Sequence, residues 1–90
     1  MSQQPVSQQE IRNAVREYLL TEFLPGEDAS ALTDSTPLIT GGILDSIASV
    51  KLVSHLEDRF GIRFEAREVS VDYLDTVDRI VETVENKRHA

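Results

Sequence analysis

The chain has 90 residues, 40% of them hydrophobic, and carries 16 acidic against 9 basic side chains, a formal charge of −7. That length supports one domain with a thin core, and the acidic balance argues against nucleic acid or an anionic membrane surface as partner, since both need clustered Lys and Arg. There is no cysteine, hence no disulfide framework and no thiolate metal site.

The opening MSQQPVSQQE lacks the basic and apolar parts of a signal peptide, and no apolar run approaches a membrane span. A cytoplasmic protein is therefore expected. Residues 1–6 read as a flexible N-terminus ahead of a domain covering 7–87. Ser7 with Glu10 three residues on is a capping box, flanked by Val6 and Ile11 at the positions of a hydrophobic staple. Ile11, Val15, Leu19 and Phe23 follow at four-residue steps, which predicts an amphipathic first helix that Leu24-Pro25-Gly26 stops.

Residues 25–45 form a long connection. Pro25, Gly26, Pro37, Gly41 and Gly42 forbid a long helix there, while Leu32, Leu38, Ile39 and Leu44 offer apolar anchors. Connections this long are uncommon unless functional, and this one is expected to pack on the domain through those aliphatics. A second helix is predicted from Asp45 or Ser46 to Gly61, a left-handed C-cap. At about 100° per residue, Val50, Leu52, Val53, Leu56 and Phe60 share a core sector, whereas Ile47, Lys51, Ser54 and Asp58 share the opposite one. Ile62 and Phe64 alternate in a short extended piece, a helical turn follows at residues 70–74, and a last helix starts at Asp75 or Thr76 with Val77, Ile80, Val81 and Val84 on one face. Lys87 and Arg88 suit its C-terminal dipole. The expected fold is all-α: three main helices and a short one, with the long loop between the first two.

Acidity is unevenly placed. Residues 65–86 hold Glu65, Glu68, Asp72, Asp75, Asp78, Glu82 and Glu85, while residues 46–64 hold Glu57 and Asp58 against Lys51, Arg59 and Arg63. The stretch GGILDSIASV thus presents Ser46 just ahead of a helix that is not an acidic stripe. Three readings exist for that serine. Asp45 or Ser46 can simply cap the helix, worth about 1 kcal/mol. A catalytic serine would need a base and an orienting acid, yet His89 lies in the tail and His55 lies more than two turns away, half a turn around the wheel. His55 and Asp58 lack a third ligand for a metal site and read as neighbours on a solvated face. The third reading is attachment: a serine at a helix N-terminus is approachable, and a phosphodiester there would meet unpaired backbone N–H groups and the positive end of the dipole.

Gly42-Ile43-Leu44-Asp45-Ser46-Ile47, the run to Phe60-Gly61-Ile62 and the Asp75-Thr76-Val77 helix start resemble the acyl and peptidyl carrier proteins of fatty-acid, polyketide and nonribosomal-peptide synthesis over about residues 8–86. The resemblance implies that Ser46 accepts 4′-phosphopantetheine from coenzyme A, and that the arm's thiol holds acyl or aminoacyl groups as thioesters. It implies a carrier rather than an enzyme, with a phosphopantetheinyl transferase, an acyltransferase or acyl/aminoacyl ligase and a downstream synthase as partners. A monomer working in trans is expected. Fatty-acid carriers place an acidic residue just after Asp-Ser-Leu, whereas here Ile47-Ala48-Ser49 follow, with Lys51 beyond. A discrete carrier of a polyketide or nonribosomal-peptide pathway is therefore the reading, with a D-alanyl or fatty-acid carrier as the alternative and an unmodified helical interaction module behind it. Asp45, Ile47, Lys51, Ser54 and Asp58 are the expected partner-binding residues, with Ile47 as apolar anchor and the charges of Lys51 and Asp58 setting the pattern a partner must match.

Overall fold

The structure, a computed structural model, describes residues 7–88. Val6 and His89 lie outside them, so the proposed staple and the tail histidine are not part of the description. Among the described residues the secondary structure is helical throughout: α1 (Gln8–Phe23), α2 (Ser46–Phe60), α3 (Val71–Leu74) and α4 (Val77–Arg88), with 3-10 turns at Ala29–Ala31 and Ala66–Glu68. The first of those turns, capped by the Asp28 side chain, lies in a stretch where the sequence predicted only loop.

Helix α1 starts where its capping residue places it, the Ser7 hydroxyl accepting the Glu10 N–H at 3.1 Å. Its buried face (Ile11, Ala14, Val15 and Leu19) packs most extensively on α4, which contributes Val77, Ile80, Val81 and Val84. Helix α2 lays Leu52, Val53 and Leu56 on the same core and ends at Gly61, whose φ of 66° is the left-handed conformation that glycine reaches without strain. Thr76 caps α4 through its hydroxyl, which accepts the Arg79 N–H at 3.1 Å. Asp75 belongs to the end of α3 instead.

The long connection is pinned along its length. Leu32, Leu38 and Leu44 are fully buried and Ile39 packs against the same core, as the spacing predicted. Arg12 bridges Asp34 at 3.0 Å and Asp78 at 2.6 Å, and Arg16 donates to the carbonyls of Leu32 and Ala29. Apolar burial and charged clamps together hold a segment that has almost no regular structure of its own.

Three expectations need correction. Val50 is not core: it is 58% exposed, because it lies roughly 120° around the helix from Leu56, beyond the sector that faces α1 and α4. Ser49 fills that sector instead, buried, with its hydroxyl donating to the Asp45 carbonyl at 2.9 Å. His55 does not stand with Asp58 on a solvated face; it is half-buried and stacks on Tyr18, ring centroids 4.0 Å apart and planes 11° from parallel. Lys87 does more than complement the dipole: it pairs with the buried Glu68 at 2.6 Å, tying the segment before α3 to the end of α4.

Candidate functional site

The start of α2 separates the roles of its two polar residues. Asp45 is the N-cap, extended at φ −88° and ψ −173°, with its carboxylate accepting the Ala48 N–H at 2.7 Å. Its carbonyl accepts the Ser49 N–H at 2.9 Å. Capping and the first-turn hydroxyl bond are therefore made by Asp45 and Ser49, and the helix start does not use the Ser46 hydroxyl. Ser46 is the first helical residue and is exposed. Of the first-turn donors, the N–H groups of Ser46 and Ile47 are those that the geometry of a helix start leaves free.

The approach to Ser46 is shaped by the preceding turn. The Leu38 carbonyl accepts the N–H groups of both Ile43 and Leu44 at 2.8 Å, and Gly42 N–H donates to Ile39 at 3.1 Å. Gly41 has to be glycine for this turn to close, since a Cβ there would run into the Pro37 carbonyl. With Leu38 and Leu44 buried on either side of it, the turn delivers Asp45 to its capping position.

Beside the serine lies an open groove of about 660 Å³, to which the loop and α2 contribute Ile39, Leu44, Ser49 and Val50 and the segment leading into α3 contributes Val69, Ser70 and Val71. Of the exposed large hydrophobic residues of the described chain, Val50 at 58% and Val71 at 42% line this groove, and Ile47 at 70% follows Ser46 in the first turn of α2. Lys51, Ser54 and Asp58 are exposed further along α2, and Val50 and Val71 are exposed apolar side chains that sequence reasoning did not single out. The helix wheel draws Val50 into the core sector although it lies at that sector's edge, and Val71 belongs to a helix of four residues, too short for periodicity to show which way it faces.

A phosphodiester on Ser46 fits this site. The hydroxyl is exposed, free N–H groups and the positive helix end adjoin it, and the carboxylate of the adjacent Asp45 is turned back into its cap. Nucleophilic catalysis does not fit: the half-buried His55 is committed to its stack with Tyr18 on the α1 side of the helix. No helix among the described residues is long and apolar enough to cross a membrane.

A four-helix bundle that offers an exposed serine at the head of its second helix, flanked by an apolar groove, has the build of a covalent carrier. The chain belongs to the family described as the phosphopantetheine attachment site, which matches residues 9–84. It is 41% identical over 71 residues to the D-alanyl carrier protein of Streptococcus sanguinis (strain SK36), covering 79% of this chain and 89% of that protein. It is likewise 41% identical over 64 residues to the D-alanyl carrier protein of Streptococcus gordonii and 39% identical over 64 residues to that of Streptococcus pyogenes serotype M1, in both cases 71% of this chain and 80% of the relative. The protein is thus a carrier with 4′-phosphopantetheine as its prosthetic group, a covalent shuttle and not a catalyst.

Proposed function

We propose that Ser46 is the attachment point and that the arm carries a small aminoacyl group, D-alanyl or a close analogue, delivered by an adenylating ligase. The observation that carries this reading is the likeness to D-alanyl carrier proteins across 89% of the length of one of them. It favours the aminoacyl alternative over a polyketide or nonribosomal-peptide pathway. The face of α2 supports it too: Lys51 beside Ser54 and Asp58 offers both charge signs, which suits a partner unlike those that dock on an acidic stripe.

When bound, the prosthetic arm supplies the thiol that this cysteine-free chain lacks, and with it the thioester chemistry. The protein's own residues do the rest. Asp45 holds the helix start rigid, Ser46 presents its oxygen to the phosphopantetheinyl transferase, and Ile47 anchors incoming enzymes while Lys51, Ser54 and Asp58 set the register. Such apolar anchors dominate binding energy, and rim charges act more on association rate.

The test is to convert the chain with coenzyme A and a phosphopantetheinyl transferase, then offer the product to adenylating ligases with D-alanine, with other amino acids and with fatty acids. Intact mass should show one phosphopantetheine increment, which peptide mapping should place on Ser46, and then a D-alanyl increment. Loading by a fatty acid but by no amino acid would overturn the aminoacyl reading. No arm at all would leave Ser46 beside an ordinary cap.

A further inference from the structure

The carboxylate of Asp75 holds three groups of the loop ahead of α2. Oδ1 accepts the N–H of Ile39 at 2.8 Å and of Thr40 at 2.9 Å, and the Thr40 hydroxyl donates to Oδ2 at 3.0 Å. The backbone of the same residue adds a fourth tie, its carbonyl accepting the Leu38 N–H at 2.6 Å, while its own N–H closes α3 on Val71 at 3.2 Å. Bonds to an ionised acceptor are shorter and roughly twice as strong as neutral ones. They hold the Asp75 carboxyl below the usual aspartate range, the Thr40 N–H contributing most.

What those bonds join is the point. On the loop side the chain runs from Ile39 and Thr40 through the closed turn to Leu44, Asp45 and Ser46. On the other side it runs back from Asp75 through α3 to Val71 and Ser70. These are the two walls of the groove beside Ser46. Helix α3 packs chiefly on α4 and on the 3-10 turn before it, so the polar link between the walls passes through Asp75.

We propose that Asp75 is a positioning residue that latches the loop at Ile39 and Thr40 to the end of α3, sets the width of the groove beside Ser46, and thereby sets how well enzymes acting at Ser46 can seat. The proposal rests on Ser46 being the attachment site. It assigns a role to a side chain whose hydrogen bonds go to Ile39 and Thr40 and not to the serine.

The experiment uses the full chain and three variants at the latch (Asp75→Ala, Asp75→Asn and Thr40→Val), with Val15→Ala as a control that weakens the α1 core away from the groove. Phosphopantetheinyl transfer from coenzyme A is followed by intact mass at a temperature where every variant is folded, and amide exchange is followed in parallel. Asp75→Ala should raise the KM for the carrier about tenfold while kcat is nearly kept, a displaced contact surface acting on seating before chemistry. Thr40→Val should raise KM less. Asp75→Asn, which keeps the shape and an acceptor oxygen, should recover much of the loss, and Val15→Ala should keep the wild-type KM. A wild-type KM in Asp75→Ala, or an equal rise in Val15→Ala, overturns the latch. Should Asp75→Ala not fold, Thr40→Val decides in the same two directions. A wild-type chain that gains no arm overturns the attachment reading instead, and exchange then judges the latch by itself. Faster exchange at Ile39 and Thr40 together with α3 in Asp75→Ala or Thr40→Val upholds it, and unchanged exchange in α3 overturns it.

Discussion

Helices α1 and α4 seal their apolar faces, while α2 and α3 leave theirs partly open. Ile11, Val15 and Leu19 meet Val77, Ile80, Val81 and Val84 with almost no exposure, and the arginines of α1 close the rim through Asp34 and Asp78. Around the head of α2 the same kinds of side chain (Ile47, Val50 and Val71) stand in solvent. A small domain has little apolar surface to spare. One side stabilises the bundle, and the other leaves apolar surface in water of the kind that generally marks an interaction site.

The harshest way to break the contrast is Leu56→Ala. Leu56 is fully buried in the core, and such truncations cost about 2–5 kcal/mol where a domain of this size has roughly 5 kcal/mol or little more. Thermal unfolding should show a large loss or no folded state. Ser46→Ala should do the reverse, abolishing the mass increment of phosphopantetheinylation while leaving helicity and melting nearly unchanged, because Asp45 and not Ser46 makes the cap. A modified Ser46→Ala protein would sink the attachment reading.

Ile47→Ala and Val50→Ala sharpen the comparison within one helix. Each should slow loading of the phosphopantetheinylated protein severalfold, the behaviour of a central apolar contact, while melting stays near wild type as exposed substitutions usually do. Loading kinetics at matched concentration decide, and a melting loss like that of Leu56→Ala would put Val50 back in the core.

Acid should loosen the site side before the sealed side. Asp75 is held below the usual aspartate range by the N–H of Thr40, its hydroxyl and the N–H of Ile39. Glu68, which burial alone would push up, is held below its usual range by the Glu65 N–H and by Lys87. Both carboxyls are depressed in the folded state, so the stability they contribute is present above about pH 4 and is lost as pH falls through their folded values. Amides of Ile39, Thr40 and α3 should lose protection there ahead of those in α1. The smallest effect belongs to Lys51→Ala, expected within about 0.5 kcal/mol of wild type in stability, with any change confined to the rate of association with the loading enzyme.

Much of this molecule was legible in the residues. Four-step aliphatic spacing located α1, Gly61 marked the end of α2, and the Asp45-Ser46 pair in its glycine-aliphatic frame pointed to the family and to the serine proposed here for attachment. Those features are local: periodicity, caps and turns act within a few residues, so a linear reading can find them. Tertiary structure decided the remainder. Packing against α1 and α4 decided which sector of α2 is buried, with Ser49 inside it and Val50 outside, and only packing brought Tyr18 onto His55 and Lys87 onto Glu68. Asp75, which the sequence offered as a helix start, became the clasp of a loop 35 residues earlier at Thr40, because a carboxylate's partners are set by which backbone N–H groups the fold brings to it.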